Sequence, residues 1–146
     1  MKTREPNENH SITQARVLYA DTDKMGVVYH SNYFRWFEAG RGSYMRRRGR
    51  PYSQTESAGV QLPLVEAGIT YHKPALYEQV LEICTWVAEM RAVQLTFAYE
   101  IRHRDDVLVR GFTRHAAINR EGRPTRIPDE VADALQRPET HPDEPF

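Results

Sequence analysis

The chain has 146 residues, enough for one domain with a buried core. Its 20 Lys and Arg balance 20 Asp and Glu, so no net charge steers it onto nucleic acid or an anionic membrane. The single cysteine, Cys84, excludes an intrachain disulfide and fits a reducing compartment. The polar N-terminus lacks the apolar core of a secretory signal, and no apolar run reaches the roughly 20 residues of a membrane span. We therefore expect a cytoplasmic protein.

Two polar segments flank the more apolar middle of the chain. Residues 1–11 hold few apolar groups, and residues 137–146 contain three prolines. Segments with so little apolar surface to bury tend to stay disordered. We expect flexible tails on either side of one domain, residues 12–136, in which no repeat or linker indicates a second domain.

A long helix is predicted after a first strand at residues 12–20. Either Ser31 or Asn32 could cap the start of this helix. Gly40 and Gly42 each cost about 1 kcal/mol in a helix interior relative to alanine, and close approach of the helix to a sheet would compensate for that cost. Residues at helical spacing form a broad apolar stripe: Tyr33, Trp36, Phe37, Gly40 and Tyr44.

After the helix, the apolar pattern changes to a period of two. Alternation predicts strands at residues 65–71 and 93–101, and a polar turn leads into a further strand at 107–119. Residues 80–90 are apolar on both faces, as in a strand covered on both sides. A last short helix is predicted at 128–135. Short turns imply antiparallel neighbours, so the predicted fold class is α+β, with one long helix and an antiparallel sheet of about five strands.

The same pattern predicts an oligomer. A single helix cannot cover both faces of a sheet of this size. Because residues 80–90 are apolar on both faces, we expect the other face or an edge of the sheet to be buried against a second copy. The pattern predicts a homo-oligomer and leaves the choice between homodimer and homotetramer open.

The segment between the first strand and the helix contains the candidate chemistry. Asp21 and Asp23 are two residues apart and would point the same way if the segment were extended. Gly26 allows a turn that other residues resist, and Val28 supplies an apolar wall. A carboxylate in such a partly closed site can act as a nucleophile or as a general base.

The predicted start of the helix offers the complementary group. The peptide N–H groups of residues 29–32 are orphan donors, and their partial positive charge suits an oxyanion. His30 can orient a substrate or move a proton near neutral pH. Each feature alone has a structural explanation, because Asp-Thr-Asp also forms capping turns and a lone histidine near a helix start is more often structural. Their ordered combination is the specific signal.

This combination resembles the 4-hydroxybenzoyl-CoA thioesterase family, and most closely its subgroup of acyl-CoA thioesterases associated with the Tol-Pal system. The resemblance implies the hotdog fold, a curved antiparallel sheet wrapped around one long helix, and assembly as dimers or dimers of dimers. The matching sequence is Arg16-Val17, Asp21-Thr22-Asp23, Gly26-Val27-Val28-Tyr29-His30 and Asn32-Tyr33.

The resemblance also implies residue roles. The family's catalytic carboxylate falls on Asp23, and its carbonyl-polarising amide falls at His30, which is also histidine in the Tol-Pal subgroup. Of the basic residues that meet the coenzyme A phosphates, only Arg91 is matched. The implied reaction is hydrolysis of an acyl-CoA to the free acid and coenzyme A, with no metal or cofactor, since coenzyme A is part of the substrate. The implied substrate contacts are Gly26, Val28, Tyr29, Asn32 and Arg91.

Alternative functions stay open at this point. An acyl-carrier-protein thioesterase or dehydratase would share the fold, although the His30 and Glu38 that a dehydratase might use lie about 12 Å apart along a helix. A non-catalytic acyl-binding protein is a further alternative. The basic cluster at residues 46–50 could bind nucleic acid, anionic lipid or coenzyme A phosphates, but a solvated helix end explains it better and we expect no nucleic-acid partner. No metal site is expected, because three histidines fall on separate strands without ligand spacing: His72, His103 and His115.

Overall fold

The computed structural model describes residues 5–143, which form one antiparallel sheet with a long helix across it. The strands follow the order β1-β3-β4-β5-β2 across the sheet. Short 3-10 turns occupy residues 19–21 and 30–32. The predicted α+β architecture with five antiparallel strands and one long helix is confirmed. The elements are β1 Ser11–Arg16, α1 Tyr33–Arg47, α2 Tyr52–Ser57, β2 Leu64–Tyr71, β3 Val80–Met90, β4 Gln94–His103, β5 Asp106–Ala116 and α3 Asp129–Gln136.

Aromatic side chains join α1 to the inner face of the sheet. Phe37 of α1 stacks on Tyr99 of β4 with ring centroids 4.3 Å apart, and Tyr44 meets Phe97 edge to face. The alternation predicted for β4 is confirmed, because every second residue points to this core. The inward residues of β4 are Leu95, Phe97, Tyr99 and Ile101.

Gly40 lets α1 approach the sheet closely. A Cβ atom at this position would overlap the Thr85 hydroxyl and would lie 2.9 Å from Cγ2 of Ile83. The cost of a glycine inside a helix is therefore offset by close packing, as the sequence predicted. The same explanation does not extend to Gly42, where a Cβ would meet only the flexible Arg46 side chain of the same helix.

The first strand is shorter than predicted. It ends at Arg16, and the chain then turns through the short helix at residues 19–21. The turn forms because the Asp21 carboxylate accepts a hydrogen bond of 2.8 Å from the Leu18 amide, which bends the chain before the predicted end of the strand. A local side-chain bond of this kind competes with the strand ladder.

The two faces of β3 are both covered within one chain. Thr85 faces α1, while Cys84 and Trp86 on the opposite face are only 5% and 3% exposed and cluster with Ala98. The apolar pattern of β3 therefore does not by itself require a second copy. In the described residues the sheet has two edge strands, β1 and β2, and Val65 of β2 is 50% exposed despite its place in the apolar alternation.

Both ends of the described chain meet at the C-terminal end of α1. Arg48 is fully buried, and its guanidinium lies over the Tyr44 ring, 3.4 Å from the centroid. It donates to Asn9 Oδ1 at 2.5 Å, to Ser11 Oγ at 2.6 Å and to the Arg137 carbonyl at 2.9 Å. The domain limits and the flexibility of the tails stay predictions, and residues 1–4 and 144–146 lie outside the described range.

The basic cluster at residues 46–50 is a structural junction. With Arg48 buried and the remaining arginines in ion pairs, the prediction of a solvated helix end is wrong. These internal pairs also argue against the cluster as a binding surface for phosphates, because its charges are compensated within the chain. The pairs are Arg46 with Asp143, Arg47 with Glu139 and Arg50 with Glu130.

The helices of residues 5–143 do not include one that is long and apolar enough to cross a bilayer.

Candidate active site

The segment between β1 and α1 forms a turn with two paired arms. The Tyr29 amide donates to the Asp21 carbonyl at 2.9 Å, and the Asp23 amide donates to the Val27 carbonyl at 2.8 Å. Gly26 closes the turn with a φ of 81°, a left-handed conformation that glycine adopts without steric cost. The pairing fixes where Asp23 on the first arm lies relative to the residues that follow the second arm.

Asp21 has a structural position in this turn. It is only 2% exposed, and one carboxylate oxygen accepts from the Leu18 amide while the other pairs with Arg35 of α1. The Asp21 carbonyl accepts from the Asn32 side chain at 2.8 Å. With both oxygens bonded, the Asp21 carboxylate is not available for chemistry, so the two acids of the motif have different environments.

Asp23 is half-buried and less constrained. Its Oδ1 accepts a hydrogen bond of 2.8 Å from the Met25 amide, which orients the carboxylate. Within residues 5–143 its second oxygen, Oδ2, has no hydrogen-bond partner. Asp23 thus combines a fixed orientation with a free oxygen, as a nucleophile or general base requires.

The second arm leads into the short helical turn at residues 30–32 and then into α1. No group in the described chain accepts a hydrogen bond from the His30 amide, whereas the Asn32 amide donates to the Tyr29 carbonyl at 2.9 Å. The predicted capping by Ser31 or Asn32 is wrong, because Asn32 has a helical conformation, makes no capping bond and holds Asp21 instead. The His30 amide is therefore an orphan donor of a helix start.

A cleft of about 250 Å³ lies beside this helix start, and its walls include Val28, His30 and Tyr33. Tyr71 of β2 closes one side, with its hydroxyl donating to the His30 carbonyl at 2.7 Å. Burial raises the pKa of Tyr33, so its hydroxyl stays neutral near pH 7. Tyr29 is exposed and packs against the His30 ring with centroids 4.2 Å apart.

Sequence reasoning missed two residues of this site. Arg35 lies one helical turn after Asn32, which helical spacing gives, but its pairing with Asp21 arises only because the chain folds back before the helix. Tyr71 reaches His30 only through the pairing of distant elements, and no local sequence pattern indicates that contact.

Six of the seven predicted site residues meet at this junction of turn and helix. Arg91 does not, because it follows β3 at the end opposite to the turn, about 30 Å along an extended strand. Its guanidinium is exposed and pairs with Glu89. The residues at the junction are Asp23, Gly26, Val28, Tyr29, His30 and Asn32.

The chain is similar to several known proteins over most of its length. A putative esterase of Aquifex aeolicus is 35% identical over 125 residues, which cover 86% of this chain and 97% of that protein. A putative acyl-CoA thioesterase of Bacillus subtilis is 32% identical over 76% of this chain and 81% of that protein. The crystal structure of a DHNA-CoA thioesterase from Staphylococcus aureus superimposes with a TM-score of 0.80 at 32% identity, covering 87% of this chain and 91% of that one.

The predicted hotdog thioesterase fold and the predicted enzyme class, a thioester hydrolase, are confirmed by these similarities. A closer affiliation with the Tol-Pal subgroup stays a prediction. Residues 17–135 match the family described as the thioesterase-like superfamily, which is most of the chain. The chain belongs to the thioesterase-like superfamily.

Proposed function

We propose that this protein hydrolyses the thioester of an acyl-CoA to the free acid and coenzyme A. The proposal rests mainly on one observation: the turn between β1 and α1 carries an oriented carboxylate on one arm and an amide without an acceptor at the end of the other. Asp23 keeps one free oxygen on the first arm, and the His30 amide at the end of the second arm has no acceptor within residues 5–143. The similarity to a putative acyl-CoA thioesterase supports the choice of substrate class.

Two routes fit these groups. In the first, the Asp23 carboxylate attacks the thioester carbonyl, coenzyme A leaves as the thiolate, and water hydrolyses the resulting mixed anhydride. In the second, Asp23 takes a proton from a water molecule that attacks the carbonyl directly. In both, negative charge develops on the carbonyl oxygen, where the His30 amide would stabilise it by roughly 10²–10³-fold in rate. Neither route uses a metal or a cofactor.

The neighbouring residues would bind and position the substrate. Val28 is buried at the cleft wall, and Tyr29 exposes an aromatic face beside His30. Gly26 keeps the turn open next to Asp23, and Asn32 ties the helix start to that turn. We assign these four residues to binding and positioning around the thioester.

A homo-oligomer and a cytoplasmic location belong to the same proposal. β2 is an unpaired edge with exposed Leu64, Val65 and Tyr71, and such an edge is a template for pairing with a second copy. Binding of coenzyme A phosphates by Arg91 would require that second copy, because Arg91 is remote from the turn within one chain. Equilibrium sedimentation at micromolar concentration tests the assembly, and a monomeric mass would count against it.

The first experiment measures thiol release from short, long and aromatic acyl-CoAs by wild type, Asp23→Asn and Asp21→Asn. We expect Asp23→Asn to lose roughly 10²–10⁴-fold in rate without a change in Tm. The matched variant Asp21→Asn should lower the Tm, because it weakens the contacts of a buried carboxylate with the Leu18 amide and the half-exposed Arg35. Activity that survives Asp23→Asn would assign the carboxylate role elsewhere. A wild type inactive on every acyl-CoA would be tested next on acyl-carrier-protein thioesters and for acyl binding alone.

A further inference from the structure

The hydroxyl of Tyr33 has bonding capacity that the protein itself does not use. Tyr33 lines the cleft beside His30 and is only 2% exposed. Its oxygen accepts a hydrogen bond of 3.2 Å from the Ala75 amide, and in the described chain no group accepts its proton. A buried donor normally has a partner in the protein, in ordered water or in a bound molecule. The Tyr33 proton is therefore available to a group that enters the cleft.

The position of Tyr33 on α1 brings its side chain close to His30. Tyr33 is the first residue of α1 and follows His30 by three positions. Side chains of a helix point back towards its N-terminal end, so the Tyr33 ring lies over the turn that contains His30. Tyr71 lies beside it with ring centroids 5.6 Å apart, and the Tyr71 hydroxyl donates to the His30 carbonyl. The three side chains therefore line the cleft from neighbouring positions.

The loop between β2 and β3 fixes the place of the Tyr33 hydroxyl. The Ala75 amide donates to this hydroxyl, and the Ala75 carbonyl accepts a hydrogen bond of 3.0 Å from the Val28 amide. Val28 lines the cleft, as does Pro74, the residue before Ala75. The hydroxyl is therefore held at the cleft wall and is tied to the arm of the turn that leads to His30.

Two properties suit this hydroxyl to binding a developing negative charge. Burial raises the pKa of Tyr33, against the opposing effect of the Ala75 amide, so the group keeps its proton near neutral pH. The hydrogen bond that its oxygen accepts from Ala75 also polarises the O–H group and makes it a stronger donor. A donor that is already fixed in place needs no reorganisation when charge develops beside it.

We propose that the Tyr33 hydroxyl donates a hydrogen bond to the carbonyl oxygen of the bound thioester, as a second donor beside the His30 amide. The inference rests on the proposed acyl-CoA hydrolysis and adds a catalytic side chain to it. When an oxygen of Asp23 or of water bonds to the carbonyl carbon, the carbonyl oxygen becomes negative and both donors bind it. When the C–S bond then breaks, the thiolate leaves and the C=O bond forms again. The Tyr33 proton stays on Tyr33 throughout.

Tyr33→Phe tests the role of this hydroxyl, and Tyr52→Phe is the matched control. The Tyr52 hydroxyl also accepts from a backbone amide, that of Leu62 at 3.0 Å, but Tyr52 does not line the cleft. Each variant leaves one amide without its acceptor, so both should lower the Tm to a similar extent. In thiol release from hexanoyl-CoA and benzoyl-CoA, kcat should fall roughly 10²-fold in Tyr33→Phe and stay near wild type in Tyr52→Phe.

Infrared spectroscopy separates a donor to the substrate from a residue that only holds the loop at Ala75. A hydrogen bond to a carbonyl oxygen lowers the stretching frequency of the C=O bond. The Asp23→Asn variant should bind both acyl-CoAs with little turnover, so an isotope-labelled thioester carbonyl can be observed in the complex. Adding Tyr33→Phe should move its band to higher frequency, whereas adding Tyr52→Phe should leave the band unchanged.

The pH profile of a fluorinated enzyme gives a second separation. Difluorotyrosine in place of Tyr33 keeps an oxygen for the Ala75 amide, but fluorination lowers the pKa of the phenol. An ionised phenol cannot donate, so activity on the alkaline side should be lost at a lower pH than in wild type. A residue that only holds the loop would leave this part of the profile unchanged.

The outcomes distinguish this inference from the proposed function. If wild type hydrolyses the thioesters and Tyr33→Phe behaves like Tyr52→Phe, the inference is overturned and the hydrolase stands. A fall in kcat without a shift of the carbonyl band, or with an unchanged alkaline profile, also overturns it. If wild type hydrolyses no acyl-CoA, the hydrolase proposal fails and the carbonyl band decides. A band that shifts only with Tyr33→Phe then supports the donor, and an unshifted band or no bound acyl-CoA overturns it.

Discussion

The side-chain amide of Asn32 donates a hydrogen bond of 2.8 Å to the carbonyl of Asp21. Asp21 lies two residues before Asp23, and Asn32 lies two residues after His30. This single bond therefore ties the arm that carries the carboxylate to the helix start that carries the orphan amide. Asn32 is best described as a positioning residue, since its own polar group is engaged within the protein.

Replacing Asn32 by alanine should affect rate more than stability. Loss of one hydrogen bond costs about 0.5–1.5 kcal/mol in free energy of unfolding. A displacement of about 1 Å between reacting groups can lower the rate by roughly 10²-fold. Urea unfolding and thiol release measure the two effects. Ser31→Ala is the control, because Ser31 is an exposed neighbour. Equal activity of the two variants would contradict the positioning role.

Local sequence patterns predicted the parts of this protein that local forces determine. The apolar residues of β4 alternate because every second one faces α1, and those of α1 recur at helical spacing because one side of the helix packs on the sheet; the observed elements agree. The close approach of Gly40 followed from the cost of a glycine within a helix. The turn and helix start could be recognised because their residues are contiguous along the chain.

Features that depend on distant residues could not be predicted in the same way. The sequence predicts Arg48 to be part of a basic, solvated helix end. In the structure it is buried, because Asn9 and Arg137 from the two ends of the chain bind its guanidinium. Arg91 is separated from the turn by the length of β3, which becomes clear only from the strand register. The contact of Tyr71 with His30 likewise needs the position of β2 in the sheet.

The two glycines of α1 should respond oppositely to alanine. Gly40→Ala places a Cβ against Thr85 and Ile83, and overpacking of this kind costs about 1–3 kcal/mol. Gly42→Ala meets only the end of the Arg46 side chain and should stabilise the helix by about 0.5–1 kcal/mol. Denaturant unfolding of both variants measures the difference. A stabilising Gly40→Ala would mean that α1 does not lie as close to β3 as described.

Arg48→Met should destabilise the protein strongly without changing its chemistry. The substitution leaves acceptors at Asn9, Ser11 and Arg137 without their buried donor, which we expect to cost about 2–4 kcal/mol. Because Arg48 follows the C-terminal end of α1, far from His30, kcat at a temperature where the variant is folded should stay near wild type. Thermal unfolding and thiol release test both statements, with Arg104→Met in an exposed turn as control. A Tm equal to that of the control would show that the buried network contributes little.

His115 should make stability depend on pH in a defined window. Its burial lowers the pKa to about 4, against the opposing effect of the hydrogen bond to the Leu62 carbonyl, whereas an unfolded histidine titrates near 6.5. Between these values the unfolded chain takes up a proton that the folded chain excludes. Stability is therefore full above pH 6.5, falls as the pH drops towards 4, and loses about 3 kcal/mol over that range.

The His115→Gln variant isolates this contribution from the carboxylates that also titrate in acid. Free energies of unfolding measured in urea between pH 7 and pH 4 should fall less steeply for His115→Gln than for wild type. His103→Gln, near the end of β4 and only partly buried, should keep the wild-type slope. Parallel curves for wild type and His115→Gln would mean that His115 takes up its proton in the folded state. In that case Nε2 of His115 could not accept the hydrogen bond of 2.9 Å from the Thr113 hydroxyl while Nδ1 donates to the Leu62 carbonyl.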